Sequence, residues 1–201
     1  MIISCIGDSL TEGDYGVYGK SGIKNVQEKN YPFFLKKSTG FEIRNFGVCG
    51  IAPSGMLQHY KDGNVNVMRS DYVIILLGSN GGLDPEKETQ GNLDYKELVS
   101  LCRRDAPEAK ICLVTPPHAT ENPEMSNYGY APQVQRAVEE TKKLADELNC
   151  ELIDLASCPD FTSENEEIMQ PNDGVHFSET GYKIMSDFIL ARLKELFPQD
   201  F

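Results

Sequence analysis

Residues 72–77 read Tyr72-Val73-Ile74-Ile75-Leu76-Leu77, six positions with no charge and no turn residue. An uninterrupted apolar, β-branched run of this length fits a strand buried on both faces, as in the interior of a parallel sheet. Four further runs read as strands: residues 2–7, 41–46, 110–115 (stopped by Pro116-Pro117) and 151–155. Helical patterns separate them. Residues 31–38 form a short one, and 93–104 space Leu93, Leu98, Leu101 and Cys102 at helical intervals. Residues 133–148 place Val134, Ala137, Val138, Leu144, Ala145 and Leu148 on one side, and 178–197 form a long terminal helix with Ser178 as N-cap. Strands alternating with helices predict an α/β domain: a five-stranded parallel sheet covered on both faces, in three α/β/α layers. In such sheets ligands bind beyond the carboxyl ends of the strands, so the loops after the strands and before the last helix are where chemistry is expected.

A length of 201 residues, without internal repeats, favours one domain over 1–201. Nineteen basic against thirty-one acidic residues give a net charge of −12. That balance argues against nucleic acid or an anionic membrane as the main partner, although it permits a local basic pocket. The apolar runs are far shorter than the roughly 20 residues of a spanning helix. The start Met1-Ile2-Ile3-Ser4-Cys5-Ile6 carries no basic leader and runs into the first strand, from which a cytoplasmic location is expected. Six cysteines contain no CxxC pair and are read as reduced thiols; no metal or cofactor is expected.

Four loops hold candidate groups. Gly7-Asp8-Ser9-Leu10-Thr11-Glu12-Gly13 sets a serine just past the first strand. Such a hydroxyl can be a nucleophile, a helix cap or a phosphate ligand, and Asp8 and Glu12 would repel phosphate. Asn45-Phe46-Gly47 could expose a backbone N–H to an oxyanion, and Gly78-Ser79-Asn80 a side-chain amide; each is equally a simple turn. Asp173-Gly174-Val175-His176 spaces a carboxylate three residues before an imidazole. In a turn that spacing lets Asp173 hold the Nδ1–H tautomer and leaves Nε2 as a base; otherwise it is an Asp-Gly turn followed by an exposed histidine. The other histidines are His59, in a polar helix-like stretch, and His118, after Pro116-Pro117. Gly19-Lys20-Ser21 resembles the end of a phosphate-binding loop, but position 14, where that motif needs glycine, is Asp14. No GxSxG, HExxH or GxGxxG occurs.

Taken together, the four loops resemble the blocks of the SGNH hydrolases, the GDSL esterase/lipase family, in order and over residues 1 to about 190. Gly7-Asp8-Ser9-Leu10 is similar to the nucleophile block, Gly47 to the glycine block, Gly78-Ser79-Asn80 to the asparagine block and Asp173-Gly174-Val175-His176 to the DxxH block. The resemblance implies the flavodoxin-like SGNH fold and a serine esterase. Ser9, Asp173 and His176 would be catalytic, and Ser9, Gly47 and Asn80 would form the oxyanion hole. One departure is visible: the family often has Asp after the block asparagine, whereas Asn80 is followed by Gly81-Gly82.

The substrate expected is a small-molecule ester with a short acyl group, acetyl first, on a polar alcohol or sugar. Asp8, His118, Asn127 and Tyr128 are the substrate-binding candidates: Thr115-Pro116-Pro117-His118 resembles the fourth-strand edge of carbohydrate-esterase-like members, the polar and aromatic stretch 122–130 suits stacking and hydrogen bonding to a sugar, and the loop 14–30 is polar and glycine-rich rather than a greasy acyl groove. The alternatives are a longer-chain thioesterase or lysophospholipase of the same family, a non-catalytic carbohydrate-binding protein on this fold, or a flavodoxin-like cofactor carrier. The oligomeric state is not legible.

Overall fold

The computed structural model describes residues 1–19, 22–25 and 29–201, the backbone alone at 17–19, 22–25 and 168. Its sheet has five parallel strands: β1 (Ile2–Gly7), β4 (Glu42–Gly47), β5 (Tyr72–Leu76), β6 (Lys110–Val114) and β7 (Glu151–Ile153), in the order β4-β1-β5-β6-β7. The expected strands are all present, within one or two residues at their ends. β5 is fully buried and its side chains alternate between two cores. Tyr72, Ile74 and Leu76 face one core, with β1, α2 (Tyr31–Thr39) and α7 (Glu179–Leu196). Val73 and Ile75 face the other, with α3 (Pro53–Lys61), α4 (Gln90–Asp105) and α5 (Ala131–Glu147). These are the three layers that the uncharged run demands.

Local signals set the helix ends. Asn30 caps α2 through Phe33 N–H at 2.8 Å, and Ser178 caps α7 through Gly181 N–H at 3.1 Å. Two features were not read from the sequence. The segment 14–30, polar and rich in glycine, contains an antiparallel hairpin of β2 (Asp14–Gly19) and β3 (Gly22–Asn25). Its glycines hide the two-residue alternation that marks a strand. A four-residue turn of helix, α1 (Ser9–Glu12), follows β1, and another, α6 (Glu166–Met169), precedes the loop to α7. Among the described residues no helix is long and apolar enough to cross a membrane. The six cysteines are free thiols; Cys5, Cys102, Cys112 and Cys158 are buried.

Candidate active site

Ser9 is placed by the end of β1. Gly7 turns in against its neighbours, where a Cβ would lie 2.6 Å from Leu76 O. Asp8 then caps α1, its Oδ1 accepting Leu10 N–H at 3.0 Å. Ser9 opens α1, 3% exposed, and as the first helical residue its N–H has no acceptor within the helix.

The loop before α7 meets it. Asp173 Oδ1 accepts the N–H groups of Val175 (3.0 Å) and His176 (2.8 Å), closing the turn expected from the three-residue spacing. Asp173 Oδ2 lies 2.6 Å from His176 Nδ1, and His176 Nε2 lies 2.8 Å from Ser9 Oγ. Gln170 Nε2 clamps the loop by donating to His118 O and Val175 O. Gly16 of β2 (φ +66°) closes over the carboxylate, so near that a Cβ would lie 2.5 Å from Asp173 Oδ2.

The charges of the relay follow from its surroundings. Burial opposes ionisation of Asp173, which is 0% exposed, but His176 and the two N–H donors outweigh it and hold the carboxyl below its usual range. Burial also opposes protonation of His176; Asp173, Asp14 and Asp8 outweigh that and raise its pKa. A buried serine hydroxyl therefore faces a base whose protonated form is favoured, which is the arrangement needed to take a proton during attack on a carbonyl.

The oxyanion side needs one correction. Gly47 N–H donates to Asn45 Oδ1 at 2.8 Å, and Gly47 itself packs on the backbone of Thr11 and Glu12, where a Cβ would lie 2.1 Å from Glu12 N. That N–H is already engaged. Further along the loop, Val48 N–H donates to Gly7 O, Cys49 N–H to Glu12 Oε2 and Ile51 N–H to Val48 O. Gly50 N–H donates to no described residue, its φ is +73°, and the space around it is open. Asn80 Nδ2 donates to Ile51 O at 3.1 Å, which sets its amide beside Gly50. Gly47 ends β4 and Gly50 lies three residues beyond it, so only an accounting of acceptors separates them.

The substrate-binding candidates divide. Asp8 is fully buried as a helix cap and does not face a ligand. Burial pushes its pKa up to about 6, against the pull of Leu10 N–H, Ser79 and His176. Ser79 lies close, yet neither Asp8 Oδ2 nor Ser79 Oγ closes a hydrogen bond of normal geometry. His118 lines a cavity of about 260 Å³ with Pro117, Ala119, Glu121 and Val134, apart from the relay. Asn127 reaches the catalytic loop, its N–H donating to Asp173 O at 3.2 Å. Tyr128, 59% exposed, stands beside it on the rim, whereas Tyr130 packs against Ala119, Val134 and Val175. Among the described residues no group of three or more His, Cys, Asp or Glu side chains could hold a metal ion.

A doubly covered parallel sheet carries Ser, His and Asp linked beyond its carboxyl edge, the arrangement that hydrolases of the serine class use. The model of the GDSL-like lipase/acylhydrolase family matches residues 5–184, and the chain belongs to that family and is a carboxylic ester hydrolase. Solved structures share the fold at low identity. A carbohydrate acetylesterase family member from Sinorhizobium meliloti is 21% identical, with a TM-score of 0.73 over 98% of this chain and 99% of that one. An aryl esterase from M. smegmatis is 18% identical (TM-score 0.71; 97% and 99% covered), and a lipase/acylhydrolase from Enterococcus faecalis 21% (0.69; 97% and 96%). No curated protein matches the chain by sequence.

Proposed function

We propose that this protein hydrolyses short acyl esters, acetyl above all, of a polar alcohol or carbohydrate, through an acyl-enzyme on Ser9. The observation that carries this reading is the unbroken relay from Ser9 Oγ through His176 to Asp173. As Oγ attacks the ester carbonyl, its proton passes to His176 Nε2. The imidazolium then returns that proton to the departing alkoxide, and the alcohol leaves. Water repeats the sequence: His176 takes its proton, the hydroxide oxygen attacks the acyl carbon, and Ser9 recovers its hydroxyl as the acid departs. Asp173 fixes the imidazole tautomer and offsets the positive charge. The N–H groups of Ser9 and Gly50 and the Asn80 amide are assigned to the oxyanion, with Gly50 in the place first given to Gly47.

The acyl and alcohol assignments rest on the rim. Asn127 and the exposed Tyr128 stand next to the Asp173 loop and offer a hydrogen-bonding group and a ring face of the kind sugars use. That solved structures of an aryl esterase and a carbohydrate acetylesterase share the fold is compatible with a small acyl group.

Hydrolysis of p-nitrophenyl esters from acetate to laurate, by wild type and Ser9→Ala in parallel, tests the reading. Activity is expected to peak at acetate or butyrate and to fall by about 10⁴-fold or more in the variant. A peak at long chains would transfer the protein to a thioesterase or lysophospholipase role. Equal activity in both proteins would remove Ser9 as nucleophile.

A further inference from the structure

A third carboxylate stands against the relay from the hairpin side. Asp14, the first residue of β2, is 0% exposed, and its Oδ2 lies 3.8 Å from His176 Nε2, the nitrogen that faces Ser9. It is built in. Its Oδ1 accepts Gly16 N–H at 2.8 Å, its backbone carbonyl accepts the Tyr182 hydroxyl, and its Oδ2 also accepts the Cys49 thiol at 3.5 Å. Burying a carboxylate is unfavourable unless charge or hydrogen bonds compensate it, and here one neighbour acquires a positive charge only during the reaction.

We propose that Asp14 is a positioning residue that acts through His176: its carboxylate favours the imidazolium formed when Ser9 surrenders its proton, from the ring edge opposite Asp173. This rests on the reading of Ser9, His176 and Asp173 as the catalytic relay. Among the described residues the charged groups facing His176 are Asp173 from its own loop, Asp14 from β2 and Asp8 from the turn between β1 and α1. Asp173 bonds the Nδ1 edge; Asp14 stands at hydrogen-bonding range of the thiol of Cys49, through which the β4–α3 loop is tied to it. Burial and the adjoining Asp14, Glu12 and Asp8 push the Cys49 thiol pKa up to about 11, which disfavours its thiolate.

The direction of the effect is fixed by charge. An opposite charge within about 4–6 Å raises the pKa of a histidine by roughly one unit or more, so its removal lowers that pKa. Asp14→Asn keeps an oxygen for Gly16 N–H while deleting the charge. The acid limb of the kcat/KM profile on p-nitrophenyl acetate is expected to move down by about one pH unit. The plateau is expected to fall by about tenfold, because the imidazolium is less well held as it forms. Cys49→Ala removes the thiol and leaves the carboxylate, so its acid limb is expected to stay in place or move upward. NMR titration of the His176 ring in both variants supplies the same reading independently of turnover and reports that each is folded. An unchanged midpoint in Asp14→Asn overturns the proposal, and so does an equal downward shift in Cys49→Ala, which would mark a general loosening of the loops. If instead Ser9→Ala retains full activity, it is the relay itself that fails.

Discussion

At Asp8 the sequence suggested a ligand-facing acid, and the structure turns it inward as the cap of α1. The difference has a measurable consequence. Its carboxyl is raised from the ordinary 3.8 to about 6 in the folded chain, chiefly by burial. A carboxyl with a raised folded pKa binds more protons in the native state, so stability falls as pH rises from about 4 through 6. At about 1.36 kcal/mol per pH unit, a rise of this size costs the fold on the order of 3 kcal/mol at neutral pH. Asp8→Asn keeps an oxygen for Leu10 N–H and brings an amide that can donate towards Ser79 Oγ. Urea unfolding is expected to show the variant more stable than wild type at pH 7.5, with the gap shrinking towards pH 4. A variant less stable at both pH values would mean that the carboxylate, not its desolvation, is what the site needs.

The hairpin of β2 and β3 ties the segment after α1 to the chemistry, through Gly16 against Asp173 and Asp14 beside His176. Gly16 has φ +66° and lies directly on the Asp173 carboxylate, so Gly16→Ala meets both an unfavourable backbone and a filled space. Displacing Asp173 by even about 1 Å misorients His176 and is expected to lower kcat by about 10²-fold with KM little changed. A folded Gly16→Ala protein with wild-type kcat would show that the hairpin does not hold the acid in place. This element was not legible, whereas β5 and α5 were. β5 declares itself through Val73, Ile74 and Ile75, and α5 through an apolar side that repeats at the helical period. β2 has Gly16 and Gly19 where alternation would be counted, and its role comes from contacts with residues far along the chain. The site divides in the same way. Asp173 and His176 are legible because three residues of turn bring them together. Gly50, Asp14 and the buried state of Asp8 depend on which backbone and side-chain acceptors are already taken, and no spacing within one loop carries that information.

On the scale of the molecule, the excess of acids is not spread away from the site but reaches into it. The chain carries −12 overall, and Asp8, Glu12, Asp14 and Asp173 all lie on the segments that build the site around Ser9 and His176. Asp173 and Asp14 answer the charge that develops on His176, yet at rest their field extends towards an arriving substrate, and walls of low dielectric focus it. A neutral ester approaches without penalty. An ester whose alcohol bears a carboxylate or phosphate approaches against the field of the site and of the whole chain. Between two acetyl esters of equal leaving-group reactivity, one neutral and one with a carboxylate on its alcohol, kcat/KM is expected to favour the neutral one by about tenfold at about 10 mM salt. Screening shortens the reach of the field from about 30 Å at that ionic strength to about 3 Å at about 1 M, so the preference is expected to narrow as salt is added. The initial rates of both esters over a salt series decide it. A preference for the anionic ester at low salt would place a cationic subsite within reach of Ser9, and the local basic pocket that the composition permits would then be the feature that selects the substrate.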